Sequence, residues 1–248
     1  MTKLLGLVGS DLARSPSALI HNYLFKKNGI DAVYRAFQLD ASEFSERFPV
    51  LVQRAFGLNV TMPFKEDAAR HLRELVGEAK LLGAVNTVKE GDGYNTDYLA
   101  VRELLKEKGI RPKTCLLIGA GGAAKAASLA LINMGCQLNI YDRTPERARA
   151  FAEQLSSLGY TASVVGNLAE ADLVVNAVPV FFPLSYRPRV YIDFSYLRDA
   201  SLGSEINIGG DEILVRQAIK SDLIWFNKIN ADEKEVLQFA RKLIRRSL

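Results

Sequence analysis

The chain has 248 residues, 48% of them hydrophobic, with a net charge of +4 and a pI near 9.0. That length buries a sizeable core in one large domain or two modest ones. With 18 Gly and 8 Pro spread along the chain, composition excludes a disordered or low-complexity protein.

The amino terminus "MTKLLGLVGSD" carries one lysine and a short apolar run, less than the ~7–15 apolar residues of a secretory segment, and reads as a first strand. No window reaches the ~18 apolar residues of a membrane span. The expectation is no membrane partner. "ALIHNYLFKKNG" follows as a helix that Gly29 can terminate, then "AVYRAFQL" as a strand. "SEFSERFPVLVQRA" is mostly helical, with Ser42 as the expected N-cap and Pro49 kinking or dividing it. "FGLNV" is a strand leading to a helix whose first turn Pro63 marks, and "AVNTVKE" and "GYN" flank a "GDG" turn.

A second alternation starts near Asp97. "DYLAVRELLKEKG" is a helix, and "TCLLIGAGGAAKAASLALINMG" is strand, tight turn and helix. "QLNIYD", "ASVVG", "ADLVVNAVP" and "RVYIDFSY" are further strands, with the helix "TPERARAFAEQLSSLG" after the first. Repeated strand–helix alternation predicts an α/β fold with parallel strands. In the last helix, "NADEKEVL" has capping-box spacing between Asn230 and Glu233, and "RKLIRRSL" holds much of the basic excess. Acid first and base last suits the helix dipole, and no aromatic residues interleave the basic ones, so no nucleic-acid partner is expected.

Cys115 and Cys136 each fall in a predicted buried element. Two thiols make no disulfide framework, which points to a reducing, cytoplasmic setting. His21 and His71 lie on separate predicted helices without liganding neighbours, so no metal site is expected. His21 reads as a helix-face residue near the serine loop.

Gly119-Ala120-Gly121-Gly122-Ala123-Ala124 fits G-x-G-x-x-[G/A] after a strand and opening a helix. The glycines allow a tight turn and close backbone approach to a pyrophosphate, which the helix N–H groups and dipole hold. At the end of the next strand, "YDRTPER" points both ways. Asp142 would bond the NAD ribose and repel a 2′-phosphate, whereas Arg143, Thr144 and Arg147 would clamp that phosphate. The balance favours NADP, with NAD left open by Asp142.

Lys65, in "NVTMPFKED", stands at the positive end of a helix, where Glu66 and Asp67 are the expected residue types. Burial and the dipole can tune such a lysine for proton exchange, although alone it reads as an exposed lysine that the helix tolerates. "GAVNTV" and "GYNTDYLA" place Asn86, Asn95, Thr96 and Asp97 at strand ends or loops, where α/β proteins collect ligands. Ser15 and Ser17 offer two hydroxyls before the first helix, and Ser15 is also a fair N-cap.

Taken in order, the serine pair with "HN", then "NVTMPFK", "GAVNT", "GYNTD", "GAGGAAKA" and "DRTPERA", the chain resembles the shikimate dehydrogenase family over nearly its whole length. "GGDEILVRQA" looks like that family's segment with a substrate-binding glutamine. The resemblance implies a mostly parallel α/β substrate-binding and catalytic domain over residues 1–100, joined by C-terminal helices 212–248. Residues 101–211 would form a Rossmann-type NAD(P)-binding domain. It implies reversible reduction of 3-dehydroshikimate to shikimate in aromatic amino acid biosynthesis, with NADP the usual cofactor, in a monomer or homodimer. Lys65 and Asp97 would be the catalytic pair, facing each other across a cleft, and Ser15 and Ser17 would hold the substrate carboxylate. Asn59 belongs to the same implied site, with Thr61, Asn86 and Gln217 on the ring hydroxyls and Tyr196 nearby.

The chain departs from the family pattern in five places, one of them Ala100 where the family usually has Gly. Its serine loop reads Ser15-Pro16-Ser17-Ala18, Asp142 replaces the usual Asn, and "NAVPVFF" replaces N-A-T-P-x-G-M. The stretch between Tyr196 and Gly209 is shortened. The alternatives are a quinate or aminoshikimate dehydrogenase on the same scaffold and a non-catalytic dinucleotide-binding sensor.

Overall fold

The structure, a computed structural model, describes residues 1–197 and 202–247, so part of the shortened stretch after Tyr196 lies outside the described residues. The chain divides into two units, Met1–Thr96 with Val215–Leu248, and Asp97–Leu214.

The first unit runs β1 (Lys3–Gly9), α1 (Ser17–Lys27), β2 (Ala32–Gln38), α2 (Ala41–Arg54), β3 (Gly57–Val60), α3 (Lys65–Arg70), β4 (Glu74–Leu75), α4 (Glu78–Leu82), β5 (Thr87–Lys89) and β6 (Asp92–Tyr94). α5 (Thr96–Glu107) leads into the second unit, which holds β7 (Thr114–Ile118), α6 (Gly122–Ile132), β8 (Gln137–Tyr141), α7 (Pro145–Ser157), β9 (Ala162–Val164), β10 (Leu173–Asn176), β11 (Val190–Asp193) and β12 (Ile206–Ile208). α8 (Gly210–Phe226) returns the chain to the first unit, where α9 (Glu233–Ser247) follows.

In the first unit the strand order is β2-β1-β3-β5-β6-β4. The pairs β1–β2, β1–β3 and β4–β6 are parallel, and β3–β5 and β5–β6 are antiparallel. Side chains alternate across the sheet, as the pleat requires. Leu5 and Leu7 of β1 join one core with Phe25, Tyr34 and Trp225, while Val8 joins another with Phe44, Phe48 and Phe64. The Trp225 indole N–H donates to the Val88 carbonyl at 2.9 Å, fixing α8 on β5. α1 ends where Gly29 adopts φ +62°, with Gly29 N–H on the Lys26 carbonyl and Ile30 N–H on the Phe25 carbonyl, a left-handed stop that a side chain would strain.

Several local expectations are corrected. Asp40, not Ser42, caps α2 in a capping box with Glu43, because the helix begins at Ala41; it then runs unbroken through Pro49. Pro63 lies in a turn after a cis Met62–Pro63 bond, and α3 begins two residues later at Lys65. At α9 the Asp232 carboxylate accepts the N–H groups of Lys234 and Glu235, so the cap is Asp232 rather than Asn230. Asn230 N–H instead donates to the Asn28 side chain. Pro16, not Ser15, stands at the N-cap of α1.

The second unit is an all-parallel sheet in the order β12-β11-β10-β7-β8-β9, the doubly wound arrangement that places a ligand at the carboxyl ends of the central strands. Cys115 of β7 and Cys136, just before β8, are joined by a disulfide with Cα atoms 6.2 Å apart. The parallel pairing of β7 with β8 sets Cys115 beside Leu138 and brings Cys136 within reach. The reading of two separate thiols is therefore corrected, and they give no argument for a reducing setting. Among the described residues no helix is long and apolar enough to cross a membrane.

Asp172 locks the start of β10 to β7. Its Oδ2 accepts the N–H groups of Lys113 at 2.8 Å and Thr114 at 3.1 Å, and Thr114 Oγ1 accepts the Asp172 N–H at 3.1 Å. The two backbone donors hold the carboxyl below its ordinary value of 3.8. A depressed carboxyl contributes stability above its unfolded pKa and loses it as the pH falls through the folded one. Asp172→Ala should cost about 1 kcal/mol at neutral pH, a modest figure because the group is near the surface. In urea titrations the gap from wild type should close as the pH drops below 3.8; a gap independent of pH would refute the assignment.

Candidate functional site

Directly after β7, Gly119 adopts φ +114° and its N–H donates to the Tyr141 carbonyl at 2.8 Å. A Cβ there would lie 2.8 Å from Val178 Cγ1, so both conformation and packing demand glycine. Gly121 caps α6 in extended geometry, and a Cβ on it would meet no atom closer than Arg147 Nη2 at 3.8 Å. Bare backbone therefore faces open space at the head of an eleven-residue helix, whose first residues are Gly122 and Ala123, with Ala120 buried beneath. Such a cradle fits a pyrophosphate.

A cavity of about 190 Å³ adjoins it, lined by Gly119, Asp142, Arg143, Thr144 and Arg147 on one side and by Val178, Pro179, Val180 and Phe182 of the "NAVPVFF" loop on another. Phe182 packs edge-on against Tyr141, with ring centroids 5.9 Å apart. Asp142 Oδ1 accepts the Thr144 N–H at 2.9 Å. The acid thus shapes the turn between β8 and α7, while the exposed Arg143 and Arg147 line the cavity. Two guanidinium groups there fit the 2′-phosphate of NADP.

In the first unit, polar side chains from β3, β5, α5 and α8 converge on the entry to β5. Asn86 lies just before β5, and the Thr96 backbone N–H meets it at 2.7 Å. A backbone N–H can only donate, so the atom it meets is the carboxamide oxygen, Oδ1, which the Thr96 and Thr87 hydroxyls also approach, each at 3.1 Å. Asn86 Nδ2 is left facing Gln217 Oε1 at 3.4 Å, and the Thr96 hydroxyl reaches the same oxygen. Behind them the Asn59 amide contacts the Asn86 carbonyl, Thr87 and Ser221, while Tyr34 donates to its oxygen. Asn59, Asn86, Thr87, Thr96 and Ser221 are all buried; Gln217 is partly open.

Ser15 and Ser17 hydroxyls lie 3.1 Å apart at the start of α1. Thr61 follows β3, and Lys65 opens α3 with its backbone carbonyl accepting the Val85 N–H at 2.9 Å. The structure thus brings Asn59, Asn86 and Gln217 into one cluster and the two serines into another. Asp97, the buried second residue of α5, and Tyr196, three residues beyond β11, are assigned to the second unit. Thr87 and Ser221 were missed by the sequence reading, and "GAVNT" was the one signal that touched either.

His21 lies on the buried face of α1, with Nδ1 2.7 Å from Asp222 Oδ1 and its ring stacked on Tyr34 at 4.3 Å. Burial pushes the Asp222 carboxyl up, with His21 opposing, and burial likewise raises the Tyr34 hydroxyl well above its usual range.

Two family models match the chain: the shikimate dehydrogenase substrate binding domain over residues 7–88 and shikimate / quinate 5-dehydrogenase over residues 102–185. A shikimate dehydrogenase of Sulfurisphaera tokodaii is 41% identical, covering 98% of this chain and 97% of its own. The chain belongs to the shikimate dehydrogenase family. Among solved members, the Thermus thermophilus enzyme in complex with shikimate superposes with a TM-score of 0.85 at 28% identity, covering 98% of this chain and 100% of its own. A shikimate dehydrogenase in complex with NADP+ gives a TM-score of 0.83 at 29% identity, covering 100% of this chain and 96% of its own. Family membership extends over both units, so the cradle and the amide cluster belong to one enzyme rather than to two unrelated modules.

Proposed function

We propose that this chain is an NADP(H)-dependent oxidoreductase that interconverts 3-dehydroshikimate and shikimate. The observation that carries the reading is the pairing, in one member of this family, of an arginine-lined cavity beside a bare glycine cradle with an amide pair suited to ring hydroxyls. When bound, the nicotinamide supplies or accepts the hydride. The first unit holds substrate: Ser15 and Ser17 take the carboxylate, and Thr61, Asn86 and Gln217 take ring hydroxyls. Asn59 acts from behind, since its amide is engaged inside the fold. Lys65 exchanges the proton of the reacting hydroxyl, with Asp97 as its carboxylate partner and Tyr196 near the substrate. Gly119, Ala120, Gly121, Gly122 and Ala123 hold the pyrophosphate, and Arg143, Thr144 and Arg147 the 2′-phosphate.

Replacing Arg143 and Arg147 together by Gln should raise the KM for NADP+ on the order of 10- to 100-fold, since each removes a charge-assisted bond to phosphate. The KM for NAD+ should hardly move. Equal loss for both cofactors would place the arginines on the pyrophosphate instead. A comparison of kcat/KM for shikimate and quinate tests the substrate assignment, which a preference for quinate would overturn.

A further inference from the structure

We propose that Asn176 and Asp193 are positioning residues: together they fix residues 178–180 as a wall of the arginine-lined cavity. The inference rests on the assignment of that cavity to NADP(H).

Asn176 ends β10 and Asp193 ends β11, and the parallel register sets them side by side, 0% and 1% exposed. Each strand then continues into a loop. After β10 come Val178, Pro179 and Val180, which line the cavity together with Arg143 and Arg147; Asn176 and Asp193 do not line it. The Asn176 carboxamide ties this loop down. Its Oδ1 accepts the Val178 N–H at 3.4 Å, and its Nδ2 donates to the Val180 carbonyl at 3.0 Å and to Asp193 Oδ2 at 3.4 Å. These roles are unambiguous. A backbone N–H can only donate, whereas a carbonyl and a carboxylate accept, so one orientation of the amide serves all three partners and uses each of its two protons once. The flipped amide would set N–H against N–H and oxygen against two acceptors.

Asp193 is anchored in turn. Its Oδ1 accepts the Ser195 N–H at 2.8 Å and its Oδ2 the Tyr191 hydroxyl at 3.3 Å, while the Phe194 N–H donates to the Asn176 carbonyl at 2.9 Å. The wall is thus fixed by two buried side chains that are not part of it, and beyond it Phe182 packs on Tyr141. A loop ordered before its ligand arrives need not be ordered by it, which strengthens binding. Without Asn176 the cofactor would have to order residues 178–180 itself.

The test is calorimetric Kd for NADP+ and for 2′,5′-ADP, a fragment without the nicotinamide, in Asn176→Ala and Asp193→Asn, with Tm alongside. Asn176→Ala should raise both Kd values on the order of tenfold, with the KM for shikimate within about twofold of wild type. Asp193→Asn keeps an oxygen for the Ser195 N–H but turns an N–H toward Asn176 Nδ2. It should weaken both ligands on the order of threefold, although residue 193 does not line the cavity. A purely structural role would lower Tm in both variants with both Kd values unmoved, and that result overturns the inference. So does a Kd raised for NADP+ alone, which would set the wall beside the nicotinamide instead of the 2′-phosphate. Should Asn176→Ala not fold, Asp193→Asn decides. A wild type that binds neither ligand overturns the assignment of the cavity as well.

Discussion

Lys65→Ala is expected to lower kcat about 10²- to 10⁴-fold, the usual contribution of a positioned acid–base group, with the KM for shikimate changing far less. The residue is an odd choice for stability. It opens α3 beside Glu66 and Asp67, where the helix dipole favours acids. Its backbone is nevertheless fixed, because the Lys65 carbonyl takes the Val85 N–H and the preceding turn is closed by the Phe64 N–H on the Thr61 carbonyl. Lys65→Arg should not rescue, since a guanidinium keeps its charge but does not give up a proton in the working range. A small fall in kcat with a large rise in KM would make Lys65 a binding residue and leave the proton step unassigned.

Asp222→Ala is expected to destabilise the first unit by about 3–5 kcal/mol, because it strands a buried histidine whose partner is gone. His21 and Asp222 are both 0% exposed and 2.7 Å apart, and the imidazole is stacked on Tyr34 beside Trp225. A double replacement by Leu should recover much of the loss, as apolar side chains often substitute for a buried ion pair at little cost. Burial raises the Asp222 carboxyl, so the sign of its linkage is opposite to that of Asp172. Its contribution is fullest below the unfolded aspartate value and falls as the pH rises through the folded one, and Asp222→Asn removes that slope. Denaturant unfolding of the whole protein, followed by Trp225 fluorescence, reads this unit directly, since the chain has a single tryptophan and it packs against His21. A loss under about 1 kcal/mol in Asp222→Ala would mean that the pair is not the anchor described here.

Much of this fold could be read from the sequence, and where it could not the reason is physical. The Gly-rich turn was legible because its signal is local: Gly119 needs a positive φ, and the strand and helix flank it in sequence. α2 was legible as a helix but its cap was misplaced by two residues, since Asp40 and Ser42 are both good capping types and only the Glu43 contact decides. β4 and β12 have two and three residues, too few to show a period. Asp142 pointed both ways because its effect on cofactor choice depends on where one carboxylate turns, and residue types alone do not show its Oδ1 on the Thr144 N–H. Ser221 and Thr87 are 134 residues apart, and His21 and Asp222 are 201 apart. No spacing rule connects such residues; only the packing of α8 against β5 and α1 does.

The most direct test of this account is the initial rate of shikimate-dependent cofactor reduction, followed by absorbance, with NADP+ and NAD+ in parallel. The account predicts a robust rate with NADP+ and a kcat/KM at least about tenfold lower with NAD+, the loss of one charge-assisted contact to the 2′-phosphate. No rate with either cofactor would contradict it and leave a member of the family that binds without turning over shikimate.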